Sequence, residues 1–159
     1  MPQDNTVLME GVRIIFRNFV GKEDRFNKEG DRNFSVVLPD DAVAEQMLAD
    51  GWNVKKLDPR EGYEEDGVTW YLQVALRFDV FPPRIVLVTS NGRTQLSEET
   101  VGMLDWADIT NVDLIVRPHF WEVNGRSGMK AYVKTMYVTI EEDALEAKYG
   151  LGDKTGDGE

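Results

Sequence analysis

The chain has 159 residues, 42% of them hydrophobic and 10% aromatic, and a formal net charge of −11 at pH 7. This composition predicts one folded domain with a sizeable core and excludes a fully disordered chain. The lack of cysteine excludes a disulfide framework and a thiolate metal site. No apolar run is long enough to span a membrane and residues 1–9 lack a signal-peptide pattern, so we expect a cytoplasmic protein with no membrane contact.

The first predicted strand covers residues 7–20, with a break near Gly11. An alternation of period two directs Val12, Ile14 and Phe16 towards a core. The opposite face carries Arg13, Arg17 and Phe19. Cations follow nucleic-acid phosphates and aromatic rings stack on bases of any sequence, so this face is predicted to contact a single strand. The alternative is that the three phenylalanines (Phe16, Phe19, Phe34) are core and the arginines form a solvated strand edge.

A charged loop over residues 21–30 follows, with glycine at both ends. We predict that it adds Lys22, Arg25, Phe26 and Lys28 to the same contact surface. Residues 11–38 contain six basic and four acidic residues, a local net charge of +2 in an acidic chain. The returning strand directs Phe34, Val36 and Leu38 into the core and ends at Pro39.

The next elements are a short helix over residues 42–49, capped by Asp40 or Asp41, and an extended piece over residues 52–57. A strand over residues 68–78 then alternates clearly between two faces. The core face is predicted to hold Trp70, Leu72, Val74, Leu76 and Phe78. The opposite face presents Tyr71 and Arg77, which we predict to contact nucleic acid.

Residues 84–89 form a buried strand, Asn91 and Gly92 indicate a turn, and Ser97 is a candidate cap for a second short helix that extends towards Trp106. Strands over residues 112–123 and 129–140 form a final hairpin. One parity of the first strand, with Val112, Leu114, Val116 and Phe120, faces the core. A second basic and aromatic face is predicted on the other parity, and it contains Arg117, His119, Trp121, Lys130, Tyr132 and Lys134. Of the tryptophans, we place Trp70 and Trp106 in the core and Trp121 against a base.

Five or six strands, short helices and no βαβ rhythm predict a mainly β, OB-fold-like closed β-barrel with short helical insertions. We expect this domain, which would bind a single strand of nucleic acid, to cover residues 1–140. Residues 141–159 contain seven acids and two lysines, a net charge of −5, and are predicted to form an acidic C-terminal tail.

The sequence resembles the single-stranded DNA-binding proteins of bacteriophages, which are OB-fold proteins with an acidic tail. The resemblance covers most of the chain: the opening strand at residues 11–16 with the strand at 33–36, residues 51–55, residues 83–85, the last hairpin and the acidic end. It implies sequence-tolerant binding of single-stranded DNA in phage replication, recombination or repair, in the cytoplasm of a bacterial host. It also implies that the tail recruits replication or recombination proteins, but this chain ends on Glu159 where many such tails end on an aromatic residue.

An enzyme is not predicted, because one histidine (His119) and no cysteine cannot build a catalytic triad or a typical zinc site. Four acids could in principle hold magnesium for a nuclease, but their spacing has no ligand pattern (Asp105, Asp108, Asp113, Glu122). We therefore expect no cofactor and no metal. The −11 charge keeps open an acidic protein-interaction module or DNA mimic that binds a nucleic-acid-handling protein. The sequence also leaves open whether the ligand is DNA or RNA and whether the chain forms a homo-oligomer.

Overall fold

The computed structural model describes residues 6–23, 25, 27–80 and 82–141, apart from the side chain of Asp66. The N-terminal segment forms β1 (Val7–Met9) and β2 (Arg13–Asn18), which are separated at Gly11, where φ is +62°. Glycine adopts a positive φ at little cost, so Gly11 permits the bend that separates the two strands, as predicted. β3 (Arg32–Val37) follows the charged loop.

A single α-helix, α1 (Asp41–Ala49), lies between β3 and β4 (Val54–Leu57). The side chain of Asp40 accepts a hydrogen bond from the backbone N–H of Val43 at 2.9 Å, which confirms the predicted N-cap. A 3-10 turn (Glu64–Asp66) precedes β5 (Thr69–Leu76). Among the described residues no helix is both long and apolar enough to cross a membrane.

The second half of the chain is a hairpin, a 3-10 segment and a longer hairpin. β6 (Arg84–Thr89) and β7 (Gly92–Leu96) pair across the predicted turn, although β7 itself was not predicted. The predicted second helix is a 3-10 segment (Val101–Asp105) without a side-chain cap. β8 (Ile109–Val123) and β9 (Arg126–Ile140) form the final hairpin.

The strands form one mainly β sheet in the order β1-β8-β9-β5-β3-β2, to which β4 is added beside β5 and the β6–β7 hairpin beside β9. Nine strands are present in the described part, more than the five or six predicted, because the first strand is split and β4 and β7 are separate strands. β1 and β2 lie at the two ends of this pairing path, so strand pairing alone does not establish the predicted closed barrel.

The core confirms most of the predicted inward faces. Phe34, Val36 and Leu38 are buried, as are Leu72, Val74 and Leu76 of β5, and Trp70 and Phe78 pack against this core while partly exposed. In the final hairpin Val112, Leu114 and Val116 are buried, but Phe120 lies beyond the core and is 66% exposed.

The predicted faces of β2 are wrong after Ile15. Ile15 pairs with Ser35 and Asn18 pairs with Asn33, so two residues of β2, Phe16 and Arg17, lie opposite one residue of β3. This β-bulge reverses the alternation of the side chains that follow it. Phe16 is therefore 56% exposed, and Phe19 is completely buried.

Two further placements correct the sequence predictions. Phe19 stacks on Phe34, with ring centroids 5.1 Å apart, so its ring is core and cannot contact a base. Trp106 follows the 3-10 segment and is 75% exposed, although it was predicted to be core. A short 3-10 segment lacks the helical periodicity that would have assigned its faces.

Candidate nucleic-acid interface

Two open grooves lie side by side on the sheet surface. The strand groove is formed around the outer face of β2, β3, β4 and β5 and is lined by three aromatic, three basic and four amide side chains (Phe16, Tyr71, Trp106, Arg17, Lys22, Lys55, Asn18, Asn27, Asn33, Gln73). The hairpin groove joins β5 to the β8–β9 hairpin, and its polar and aromatic lining includes Arg32, Arg77, Lys130, Trp121 and Asn53. Asn27, Asn33 and Gln73 line both grooves, so the two form one continuous surface.

The bulge in β2 places Phe16 at the strand groove. Its φ of +53° is uncommon for a residue that is not glycine and marks local backbone strain. The ring of Phe16 meets that of Tyr71 edge to face, with centroids 5.5 Å apart and an interplanar angle of 75°. The pair gives the groove an aromatic floor within reach of Lys55, which lies opposite Tyr71 in the β4–β5 register.

Amide side chains organise the neck of the charged loop above this groove. The Asn18 side chain accepts from the backbone N–H of Lys22 at 2.8 Å and donates to the Lys22 carbonyl at 3.0 Å. Nδ2 of Asn27 lies 3.0 Å from the same carbonyl, and Asn33 donates to Oδ1 of Asn27 at 2.8 Å. The network fixes the backbone of Lys22 at the groove, while the Lys22 side chain is exposed.

The predicted contact residues of β8 share one face, because the register of β8 with β9 is unbroken from Val116 to Val123. Arg117 lies opposite Tyr132, His119 opposite Lys130, and Trp121 opposite Gly128. Trp121 is 41% exposed. An added Cβ on Gly128 would lie 2.6 Å from Cζ2 of the Trp121 indole and 3.0 Å from Nε1, so the indole lies directly against the glycine. One side of the indole is thereby supported by β9.

Tyr132 supports this surface and does not form it. It is 5% exposed, its ring meets that of His119 at 5.7 Å, and the Lys130 ammonium lies 5.6 Å from its centroid. The sequence-based prediction that Tyr132 belongs to the contact face is therefore corrected, because its side chain is buried. Lys134 lies where the β8–β9 register shifts and is half-buried, as is Arg117.

Three of the arginines at the grooves already have protein partners. Arg17 donates from one guanidinium nitrogen to the carbonyls of Leu104 and Ala107, both at 2.8 Å. Arg32 pairs with Glu98 at 3.1 Å. Arg77 holds both oxygens of Asp79, at 3.0 and 3.1 Å, and these hydrogen bonds lower the pKa of the Asp79 carboxyl.

The other predicted contact residues have varied positions. Arg13 is exposed but lines a different groove, beside Glu141. Arg25 and Lys28 are exposed in the charged loop, and Phe26 lies outside the described residues. The grooves thus contain Arg17, Lys22, Tyr71, Arg77, Trp121 and Lys130 of the predicted set.

Sequence reasoning missed several lining residues, which are Phe16, Trp106, Lys55, Arg32 and the amide group. Lys55 lies in a segment already noted for its resemblance, and its place next to Trp52 and Val54, which are buried, is the signal that could have identified it. Phe16 had no such signal, because nothing in the sequence marks the bulge.

The electrostatics of the grooves differ from those of the whole chain. In the described part of the chain each groove is lined by three basic residues and one acid: Arg17, Lys22 and Lys55 with Asp105, and Arg32, Arg77 and Lys130 with Asp31. Arg32 and Arg77 are also paired with Glu98 and Asp79. Within the described residues none of these three lysines takes part in a salt bridge. A protein of net charge −11 therefore concentrates cations along one surface, beside aromatic rings and amides.

Comparison with known proteins gives a family and a fold. The family model for the phage ssDNA-binding domain matches residues 2–153. The structure of the single-stranded DNA-binding protein of bacteriophage Enc34 in complex with ssDNA matches with a TM-score of 0.57 and 13% identity, over 87% of this chain and 88% of that chain. A second solved structure of the single-stranded DNA-binding protein of bacteriophage Enc34 matches with a TM-score of 0.54 and 11% identity, over 87% of this chain and 82% of that chain. At these identities the likeness shows the fold, and no curated protein matches.

Proposed function

The chain belongs to the phage ssDNA-binding domain family, and from that premise we propose that its two grooves form one path for a single strand of DNA, bound with little regard to sequence. Single-stranded DNA is the ligand of this family. The single observation that supports the path is the local reversal of charge. The six basic residues that line the two adjoining grooves outnumber the two lining acids and the two salt-bridge partners, Glu98 and Asp79, on an otherwise acidic protein.

The chemistry of the lining fits this ligand. Lysine ammonium groups neutralise phosphates, and exposed aromatic rings stack on bases for about 1–3 kcal/mol each without selecting the base. We assign phosphate contacts to Lys22, Lys55 and Lys130, and base stacking to Trp121. Arg77 lies beside this path but stays paired with Asp79. The ring pair of Phe16 and Tyr71 forms the aromatic floor of the strand groove. Arg25 and Lys28 are exposed on the loop above and extend the same cationic surface.

The remaining residues of the predicted set have other roles in this proposal. Tyr132 and Arg117 support the hairpin from below, with Lys134 at the register shift. Arg13 lies on a separate groove and contacts the strand only if the DNA continues around the edge of the sheet. Phe19 is a core residue.

The fold proposed for this function is an OB-like barrel closed through the N-terminal segment. β1 pairs with β8 and β2 pairs with β3, and only residues 10–12 separate the two strands along the chain. The backbone N–H of Val12 also donates to the carbonyl of Val112 at 3.0 Å. A bend at Gly11 would thus join the two ends of the pairing path.

The wider biological assignment is also a proposal. We place the DNA-binding domain at residues 1–140, because β9 ends at Ile140, and an acidic tail at residues 141–159, which lie outside the described residues except for Glu141. The tail would recruit replication or recombination proteins. The protein would act without enzymatic activity, in the cytoplasm of the bacterial host, in phage DNA replication, recombination or repair.

Neighbouring lysines on β4 give the experiment for the DNA path. Lys55 lines the strand groove, whereas the Lys56 ammonium lies 5.9 Å from the Trp70 ring and does not line either groove. Each phosphate contact on a single strand contributes about −0.7 to the slope of log K against log salt. Lys55→Gln should therefore reduce the magnitude of that slope for oligo-dT by about 0.7, and Lys56→Gln should leave it unchanged.

Both substitutions remove one positive charge from β4, so equal effects would reflect net charge alone and would contradict the path. The measurement is fluorescence anisotropy of labelled oligo-dT over a series of salt concentrations. Matched RNA oligonucleotides in the same assay determine whether DNA is preferred.

A further inference from the structure

The exposed Trp106 is held between two sets of hydrogen bonds. On one side, Arg17 donates to the carbonyls of Leu104 and Ala107, both at 2.8 Å. On the other, the Asp105 carboxylate accepts from the backbone N–H groups of Phe19 at 2.7 Å and Val20 at 3.0 Å. These bonds join the 3-10 segment to the end of β2 immediately around Trp106.

The segment also approaches β2 very closely. A Cβ added at Gly102 would lie 2.9 Å from Cγ2 of Val20, so the absence of a side chain permits this contact. Val101 and Leu104 of the same segment are completely buried. The backbone around Trp106 is therefore fixed by both packing and hydrogen bonds, although the indole itself is 75% exposed.

The surroundings of this indole indicate which kind of ligand stacks on it. It lines the strand groove with Phe16, Lys22 and Lys55, and this groove continues into the hairpin groove that contains Trp121. An apolar ring beside lysines that form no salt bridge with the described residues suits a ligand that is aromatic and anionic together, such as a nucleotide. A largely apolar protein partner would leave those ammonium groups without compensation.

We propose that Trp106, which lines the strand groove and not the hairpin groove, is a second base-stacking platform, and that Arg17 and Asp105 are positioning residues for it. The inference rests on the proposed function. It assigns Arg17 a different role from the phosphate contact that the sequence predicts, because one nitrogen of its guanidinium is bound to two carbonyl oxygens.

Trp106→Ala in the full chain tests the platform. Loss of one stacked base should weaken binding of a long oligo-dT by about 5- to 150-fold. The control is Tyr63→Ala, since Tyr63 is an aromatic residue that is 53% exposed and lines neither groove, and it should bind as the parent does. Circular dichroism and thermal melting of each variant establish that it is folded.

Trp121→Ala separates a failure of this inference from a failure of the proposed function. If Trp121→Ala weakens binding and Trp106→Ala does not, the second platform is refuted while the DNA path stands. If the parent chain does not bind oligo-dT at low salt, the proposed function and this inference both fail.

Arg17→Lys tests the positioning role. The substitution keeps the charge, but the lysine side chain is shorter, so its ammonium falls short of the guanidinium nitrogen that reaches both carbonyls. We expect weaker binding, an unchanged salt slope, and no additional loss when Arg17→Lys is combined with Trp106→Ala. A loss that persists in the Trp106→Ala background would show that Arg17 acts on the DNA directly and would overturn its assignment.

Discussion

The contact between Gly128 and Trp121 gives a prediction in which DNA affinity falls without a loss of stability. In Gly128→Ala the new Cβ would lie 2.6 Å from the indole, whereas ordinary contacts begin at about 3.4 Å. The ring must therefore move by at least about 0.8 Å away from β9. Gly128 does not have a positive φ, so alanine itself fits the strand backbone.

The size of the effect on affinity follows from the stacking energy. One stacked base contributes about 1–3 kcal/mol, which corresponds to about 5- to 150-fold in the dissociation constant. Trp121→Ala should lose this whole amount, and Gly128→Ala should lose a part of it. The melting temperature should stay the same or rise slightly, because alanine restricts the unfolded chain more than glycine does.

The assay is oligo-dT anisotropy on a double-mutant cycle, with tryptophan fluorescence to report the indole environment. In the Trp121→Ala background, Gly128→Ala should have no further effect on affinity. The matched control is Ser127→Ala, which changes the neighbouring exposed residue and should bind normally. An unchanged affinity of Gly128→Ala in the parent background would refute the argument that β9 positions the indole.

Two further predictions concern the hairpin groove and the core. Asp79→Asn should release Arg77 for phosphate, so binding should be tighter and the salt slope steeper by about 0.7; an unchanged slope would show that Arg77 does not reach the DNA. Because Arg77 lowers the pKa of Asp79, the stabilisation from this pair is present above the unfolded-state pKa of Asp79 and is lost as the pH falls through the lower folded-state value. Acid titration should show this loss in the parent chain and not in Asp79→Asn. Phe19→Leu should lower the free energy of unfolding by about 1 kcal/mol in urea denaturation and leave oligo-dT affinity unchanged, since Phe19 is completely buried; a weaker affinity of the folded variant would restore it as a contact residue.

Strand alternation was a sound guide wherever the pairing register was uninterrupted. It assigned both faces of β5 and the shared face of Arg117, His119 and Trp121, because side-chain direction in a strand follows residue parity. It failed in β2, where one extra residue exchanged the positions expected for Phe16 and Phe19. No local propensity marks that bulge.

The site was predictable in kind but only partly in detail. Four of its six cations (Arg17, Lys22, Arg77, Lys130) and Trp121 were predicted from clusters on strands and in the charged loop, whereas Lys55 and Arg32 were missed. Trp106 depends on contacts between the 3-10 segment and the chain at the end of β2, some 85 residues apart in sequence. The amide network of Asn18, Asn27 and Asn33 is likewise a tertiary feature. Long-range hydrogen bonds of this kind leave no pattern in a single sequence.

Equilibrium binding of the full chain to oligo-dT and to a duplex of the same length, across a range of salt concentrations, tests the central claim most directly. Phosphate contacts by Lys22, Lys55 and Lys130 predict a slope of log K against log salt of about −2 for the single strand. The duplex should bind far more weakly, because its stacked bases are not available to Trp121. Equal affinity for the duplex, or no binding of oligo-dT at low salt, would contradict the account.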